Sequence, residues 1–151
     1  MKSITANWFI VKIRYDQTRE TGILKKTTEQ YVIDSLSFGE AEKHICEEMA
    51  PYVKGEFEVL DISRAPFKEV FLSDDSTADK WYKIRLSFIT IDEKTMKEKQ
   101  TAMTYLVQGA DIETARKNTE EVMRGSWVDY VITAVNETKI LDVFMHCNSD
   151  K

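Results

Sequence analysis

Two tryptophans open runs of alternating cations. Trp8, Ile10, Lys12 and Arg14 fall on one side of an extended segment. Trp81, Lys83, Arg85 and Ser87 do the same on another, because every second side chain of a strand shares a face. A flat aromatic ring beside cations is the chemistry single-stranded nucleic acid requires: bases stack on the ring and phosphates pair with the charges. Lys25, Lys26, Lys97 and Lys99 extend the set on neighbouring strands and a hairpin tip. The competing arrangement puts the tryptophans in the core and leaves the lysines and arginines to solvate an outer face. A net charge of −5 disfavours a general polyanion binder, yet acidic helices can set the total while one face stays basic.

Other reactive residues form weaker patterns. His44, Cys46, His146 and Cys147 are all the histidines and cysteines of the chain. Zinc needs four converging ligands, and residues two apart on a helix, as His44 and Cys46 are, point to different sides. Glu40, Glu42, Glu47, Glu48, Glu113, Glu120 and Glu121 lie on helices and face solvent, whereas a catalytic carboxylate pair needs burial to separate its pKa values. There is no G-x-S-x-G, no P-loop and no glycine-rich dinucleotide turn. The expectation is a protein without enzymatic activity, cofactor or metal. Phe67, Val70, Phe71 and Ile140, Val143, Phe144 form aromatic strand ends, suited to core packing or to a subunit interface.

The elements that must position these residues follow from periodicity. Residues 8–15 alternate as a strand, a polar loop covers 16–22, and residues 23–34 return, which predicts an antiparallel hairpin. Ser37-Phe38-Gly39-Glu40 has the form of a capping box and starts a helix that runs to about Ala50. Phe38, Ala41, Ile45 and Met49 give it an apolar stripe. Residues 56–62 and 67–72 form two more strands around a turn at 63–66. After a polar linker at 73–80 the order recurs: strand 81–91, tip 91–100, strand 101–107, a helix capped by Asp111 with the stripe Ile112, Ala115, Thr119, Met123, and strands 129–136 and 139–145. Residues 146–151 are a tail.

The second half echoes the first. Trp81-Tyr82-Lys83-Ile84-Arg85 matches Trp8-Phe9-Ile10-Val11-Lys12, and Tyr105-Leu106-Val107 matches Tyr31-Val32-Ile33. Ile140-Leu141-Asp142-Val143-Phe144 matches Phe67-Lys68-Glu69-Val70-Phe71. This predicts one α+β domain built by internal duplication from two β-β-α-β-β repeats, 8–72 and 81–145, with antiparallel sheets, two helices and a pseudo-twofold relation. One helix per four strands covers a single sheet face, so the copies are expected to bury sheet faces together or exchange helices.

The chain has 151 residues, 42% of them hydrophobic, enough for one packed domain. It contains no apolar run of membrane-spanning length, of roughly 18 residues. Its start lacks the apolar core of a signal peptide, and two cysteines suit a reducing compartment, so a cytoplasmic protein is expected.

The run Asn7-Trp8-Phe9-Ile10-Val11-Lys12, the segment Lys25-Lys26-Thr27-Thr28-Glu29, the run Leu36-Ser37-Phe38-Gly39-Glu40-Ala41-Glu42 and the segment Met49-Ala50-Pro51-Tyr52 resemble a family of uncharacterised proteins. That family is a domain of unknown function met in Bacteroides-type anaerobes and their phages. The resemblance covers nearly the whole chain and implies a bacterial or phage cytoplasmic protein; it carries over no active-site position. Read from Glu56 to Met123 the order becomes four strands and a helix. Doubled, that order is similar in topology to the single-stranded-DNA-binding group of Whirly, Pur-alpha and PC-four-type coactivator proteins. The expected function is therefore non-enzymatic binding, of single-stranded nucleic acid in bacterial or phage DNA metabolism. The alternative is a protein-interaction or assembly module that forms homo-oligomers through sheet edges or aromatic faces. The nucleic-acid contacts would be Trp8, Lys12, Arg14, Lys25, Trp81, Lys83, Arg85 and Lys99.

Overall fold

The computed structural model describes residues 2–4, 6–18, 22–53 and 55–145, so the predicted tail, with His146 and Cys147, lies outside the described residues. The chain folds as β1 (Lys2–Ile4), β2 (Trp8–Thr18), β3 (Leu24–Asp34), α1 (Phe38–Met49), β4 (Phe57–Arg64), β5 (Phe67–Leu72), β6 (Lys80–Ile91), β7 (Glu98–Gly109), α2 (Ile112–Met123), β8 (Asp129–Glu137) and β9 (Ile140–Phe144). The class is α+β with two similar halves, as the repeated pattern predicts. No described helix is long and apolar enough to cross a membrane.

Each hairpin forms where the alternation placed it. β2 pairs antiparallel with β3 from Trp8↔Asp34 to Thr18↔Leu24, and β6 with β7 from Lys80↔Gly109 to Ile91↔Glu98. β4 then adds to β2, and β8 to β6, both antiparallel. Each of these pairs carries a bulge at the equivalent place, beside Lys12/Ile13 and beside Arg85/Leu86. The extra residues, Leu60 and Thr133, kink two strands that stand at sheet edges, and such a kink discourages edge-to-edge pairing with another chain.

The last strand of each repeat goes elsewhere than predicted. Residues 57–64 and 67–72 do not form a hairpin with each other. β5 pairs parallel with β7 of the other half, and β9 pairs parallel with β3. The sheets are therefore β4-β2-β3-β9 and β1-β5-β7-β6-β8. Strands are exchanged, whereas the helices stay with their own hairpins: α1 packs on β2, β3 and β4, and α2 on β6, β7 and β8. The links at Ala65 and Thr138 are anchored alike, since the Ala65 amide donates to the Trp8 carbonyl at 2.8 Å and the Thr138 amide to the Trp81 carbonyl at 3.0 Å. Two compact units result, one of β1 and residues 66–138, the other of residues 6–65 and β9.

Each unit has its own core between sheet and helix. In the unit of residues 6–65 it comprises Phe9, Val11, Ile13, Tyr31, Ile33, Ala41, Ile45 and Met49. In the unit of residues 66–138 the corresponding positions hold Tyr82, Ile84, Leu86, Tyr105, Val107 and Ala115, with Met123 partly buried beside them. The predicted stripes begin one turn too early, because Phe38 and Ile112 are 47% and 53% exposed. Both caps form: Ser37 Oγ accepts from the Glu40 amide at 3.2 Å and Asp111 Oδ1 from the Thr114 amide at 2.7 Å. Glu40 reaches back to the Leu36 amide at 2.9 Å, one residue before the cap.

Candidate ligand-binding site

The residues that open the sequence reading are not brought into one exposed face. Trp8 and Trp81 are each 3% exposed, so neither indole presents an open ring on which a base can stack. Lys12 and Arg14 lie on the face of β2 opposite its helix, half-buried, and their cross-strand partners on β4 are Asp61 and Glu58. Arg14 pairs with Glu58 at 2.9 Å. Lys83 and Arg85 are exposed on β6, opposite Asn136 and Ala134 of β8, neither of them acidic. Lys25 and Lys99 are exposed near the loop ends of the two hairpins, on different sheets. Among the described residues no group of three or more His, Cys, Asp and Glu side chains could hold a metal. Cys46 is exposed on α1, and partial desolvation by its neighbours together with the charges of Glu42 and Glu47 raises its thiol above the ordinary pKa.

A concavity of about 600 Å³ along β8, lined by Arg116, Glu120 and Tyr130, is shallow and open, and a smaller, more enclosed one lies in the unit of residues 6–65 and β9. It measures about 340 Å³ and is lined by Tyr15, Glu29, Tyr31, Met49, Tyr52, Val53, Leu141, Asp142 and Phe144. Each wall has an identifiable source. The β2–β3 register sets Ile13 opposite Glu29 and Tyr15 opposite Thr27, so Tyr15 and Glu29 lie diagonally across the hairpin on one face. Tyr31 follows Glu29 two residues along β3 and therefore shares that face. The exchanged strand β9 brings Asp142 into register with Tyr31, and the Phe144 ring stacks on Tyr31 with centroids 5.2 Å apart. The end of α1 supplies Met49, and the turn after it Tyr52 and Val53.

Glu29 ties the site together. The Tyr15 hydroxyl donates to its Oε2 at 3.1 Å and the Tyr31 hydroxyl to its Oε1 at 2.9 Å. Tyr31 is buried, and its pKa is raised well above the ordinary value by that burial, by the hydrogen bond to Glu29 and by the charge Glu29 carries. Tyr15 is raised for the same reasons in the same order. Both phenols are thereby kept neutral and held as donors to the carboxylate.

The other unit repeats the frame without the central carboxylate and the second phenol. Tyr105 takes the place of Tyr31 and stacks on Phe71 with centroids again 5.2 Å apart. Phe88 stands where Tyr15 stands, and Met103 where Glu29 stands, both packed against the core. The Tyr105 hydroxyl meets the Met103 sulfur at 3.7 Å, and Glu69 stands in register with Tyr105 as Asp142 does with Tyr31.

Comparison with known proteins adds the family. A family model described as a domain of unknown function, DUF4494, matches residues 7–146. The chain belongs to the DUF4494 family. No curated protein and no solved structure matches it. The DUF4494 match spans both halves and every residue lining the pocket.

Sequence reasoning passed over this site because Tyr15, Tyr31 and Phe144 read as ordinary strand aromatics. A signal was present: with the halves aligned, Tyr15/Phe88 and Glu29/Met103 are core-facing positions at which one copy is polar and the other apolar.

The site generates a pH prediction. A tyrosine whose folded pKa lies above its unfolded value, about 10, contributes stability that is fully present below pH 10 and is lost as pH rises through the folded value. Absorbance at 295 nm during alkaline titration should show Tyr15 ionising above its ordinary value and Tyr31 well above it, and Glu29→Gln should lower both midpoints by removing the adjacent charge. Ionisation of all six tyrosines near pH 10 in the folded protein would contradict this account.

Proposed function

We propose that this chain is a non-enzymatic binding protein and that its working site is the pocket around Glu29. The observation that carries the reading is the contrast between the halves. The frame of hairpin, helix and exchanged strand is complete in the unit of residues 66–138 with Phe88 and Met103 in place, so Tyr15 and Glu29 are not required to build it. Burying a carboxylate costs stability unless partners compensate, and an apolar filling of the same shape is often as stable or more so. A polar constellation kept at the wall of a cavity, where an apolar one suffices for folding, fits a site held for binding. Tyr15 and Tyr31 point their hydroxyls at Glu29, yet their raised pKa values keep both phenols protonated and so weak as nucleophiles, which supports binding over catalysis.

The same reading takes the two halves as copies of one ancestral β-β-α-β-β unit, supported by the equivalent bulges and link anchors. It keeps the bacterial or phage cytoplasmic setting that the family resemblance implies.

The test converts one pocket into the other. Tyr15→Phe combined with Glu29→Met copies the arrangement of Phe88 and Met103. The double variant should remain folded and lose less than about 1.5 kcal/mol in denaturant titration, the range of volume-conserving core exchanges. A loss of several kcal/mol would show that the constellation serves the fold, and the reading would fall.

Single-stranded nucleic acid binding is the second reading, favoured by one observation: Lys83 and Arg85 stand exposed on one face of β6 with no acid opposite them across β8. On that reading Arg85→Ala should lower the salt slope of oligonucleotide binding by roughly 0.7, the value for one phosphate on a single strand. Fluorescence anisotropy across a salt series measures it. No binding by the unmutated protein at low salt would retire this reading.

A further inference from the structure

We propose that the pocket around Glu29 receives a positively charged group, an ammonium or guanidinium on a short alkyl stem. The inference rests on the reading of that pocket as the working site and adds the chemistry of its ligand.

The hydrogen-bond inventory decides the sign of the ligand. Tyr15 and Tyr31 each own one hydroxyl proton, and both protons are directed at Glu29. What those phenols still offer is oxygen lone pairs. An ionised carboxylate has about four acceptor positions, and the two phenols occupy one on each oxygen of Glu29. Asp142 accepts from the Val143 amide at 2.8 Å through Oδ1, which leaves Oδ2 to accept again. Met49, Val53, Leu141 and Phe144 bring no side-chain donor. Tyr52 sits at the rim, 75% exposed, with an aromatic face and a hydroxyl.

The inner wall is therefore made of acceptors and apolar surface, and a group that enters must supply the donors. An ammonium has three and a guanidinium five, with no acceptor to leave unmatched. Charge points the same way. Glu29 and Asp142 are the charged lining residues, and no lysine or arginine is among them. A phosphate or carboxylate would meet repulsion and find no paired donor. The aromatic walls fit as well, since the faces of Tyr31, Tyr52 and Phe144 can interact with a cation through their ring quadrupoles. A volume of about 340 Å³ suits a small head group and its stem rather than a large cofactor. In the other unit Met103 replaces the central carboxylate and Phe88 one phenol, while Glu69 keeps the place of Asp142 beside Tyr105, so that unit tests the central carboxylate and its second phenol and serves as an internal control.

The experiment is a titration of the ¹⁵N-labelled full chain followed by NMR. The probes are n-butylammonium chloride, an acetylated and amidated lysine peptide, and sodium butyrate as the anionic isostere, with sodium chloride as the ionic-strength reference. n-Butylammonium should shift the amides of Glu29, Tyr31 and Asp142 while those of Met103 and Tyr105 follow the sodium chloride reference. Glu29→Gln should weaken this binding at least tenfold, and so should Asp142→Asn, at an exposed position whose replacement leaves the core untouched. The two cations separate the sources of the charge. Saturation by the peptide at a lower concentration assigns the pocket to a side chain of a protein partner, and equal saturation assigns it to a free amine; both support the proposal. Butyrate shifting the pocket amides would overturn the cationic ligand and leave the pocket standing as a binding site. Cation-induced shifts no larger than those from sodium chloride would overturn the proposal outright. Failure of the underlying reading is seen separately, in the stability of the Tyr15→Phe, Glu29→Met chain.

Discussion

The parallel pairing of β9 with β3, and of β5 with β7, is the constraint on which the rest depends. Parallel neighbours cannot be joined by a tight turn, so each sheet must draw its last strand from a distant part of the chain. Here each draws it from the other repeat. Neither β2–β3–α1–β4 nor β6–β7–α2–β8 completes its sheet alone, and the polar linker between the copies is spanned by pairing rather than left as a hinge. Gln108 of β7 reinforces that link, accepting from the Ser73 amide at 3.0 Å and donating to the Ala78 carbonyl at 2.9 Å. Such long-range pairing carries a loop-closure cost before it is rewarded, and it favours slower folding than local topology allows.

The exchange also makes the site. Phe144 and Asp142 arrive on β9, and without them Tyr31 has neither its stacking partner nor its flanking carboxylate. The remaining wall comes from β2, β3 and the end of α1, all within the first repeat. The pocket thus joins the first hairpin to the final strand of the chain. On this frame two substitutions set the chemistry. Tyr15 where the other half has Phe88, and Glu29 where it has Met103, add a carboxylate and a second phenol to a tyrosine, an aromatic partner and an acidic strand position that both halves share.

Much of the fold was legible. Alternation from Phe9 to Tyr15 and from Tyr82 to Phe88 located the hairpins, and Ser37 and Asp111 located the helix starts. The destination of β5 and β9 was not legible, because Phe67–Leu72 and Ile140–Phe144 carry the same apolar pattern and either sheet could accept either strand. The extent of burial at Trp8 and Trp81 was not legible either. Alternation assigns a side chain to a face and says nothing about what lies over that face. The site residues fell between these cases: Glu29 lies among Thr27, Thr28 and Gln30 in a polar stretch, its spacing puts it on the face of Tyr31, and only the register with β2 shows that it also faces Tyr15.

The strand exchange is tested most directly by the tyrosine ring resonances in assigned NMR spectra. Phe144→Ala should remove the ring current felt by Tyr31 and leave Tyr105 unmoved, and Phe71→Ala should move Tyr105 and leave Tyr31 unmoved. If Phe144→Ala instead shifted Tyr105, each final strand would belong to its own repeat, and both the exchanged topology and the pocket built on it would be wrong.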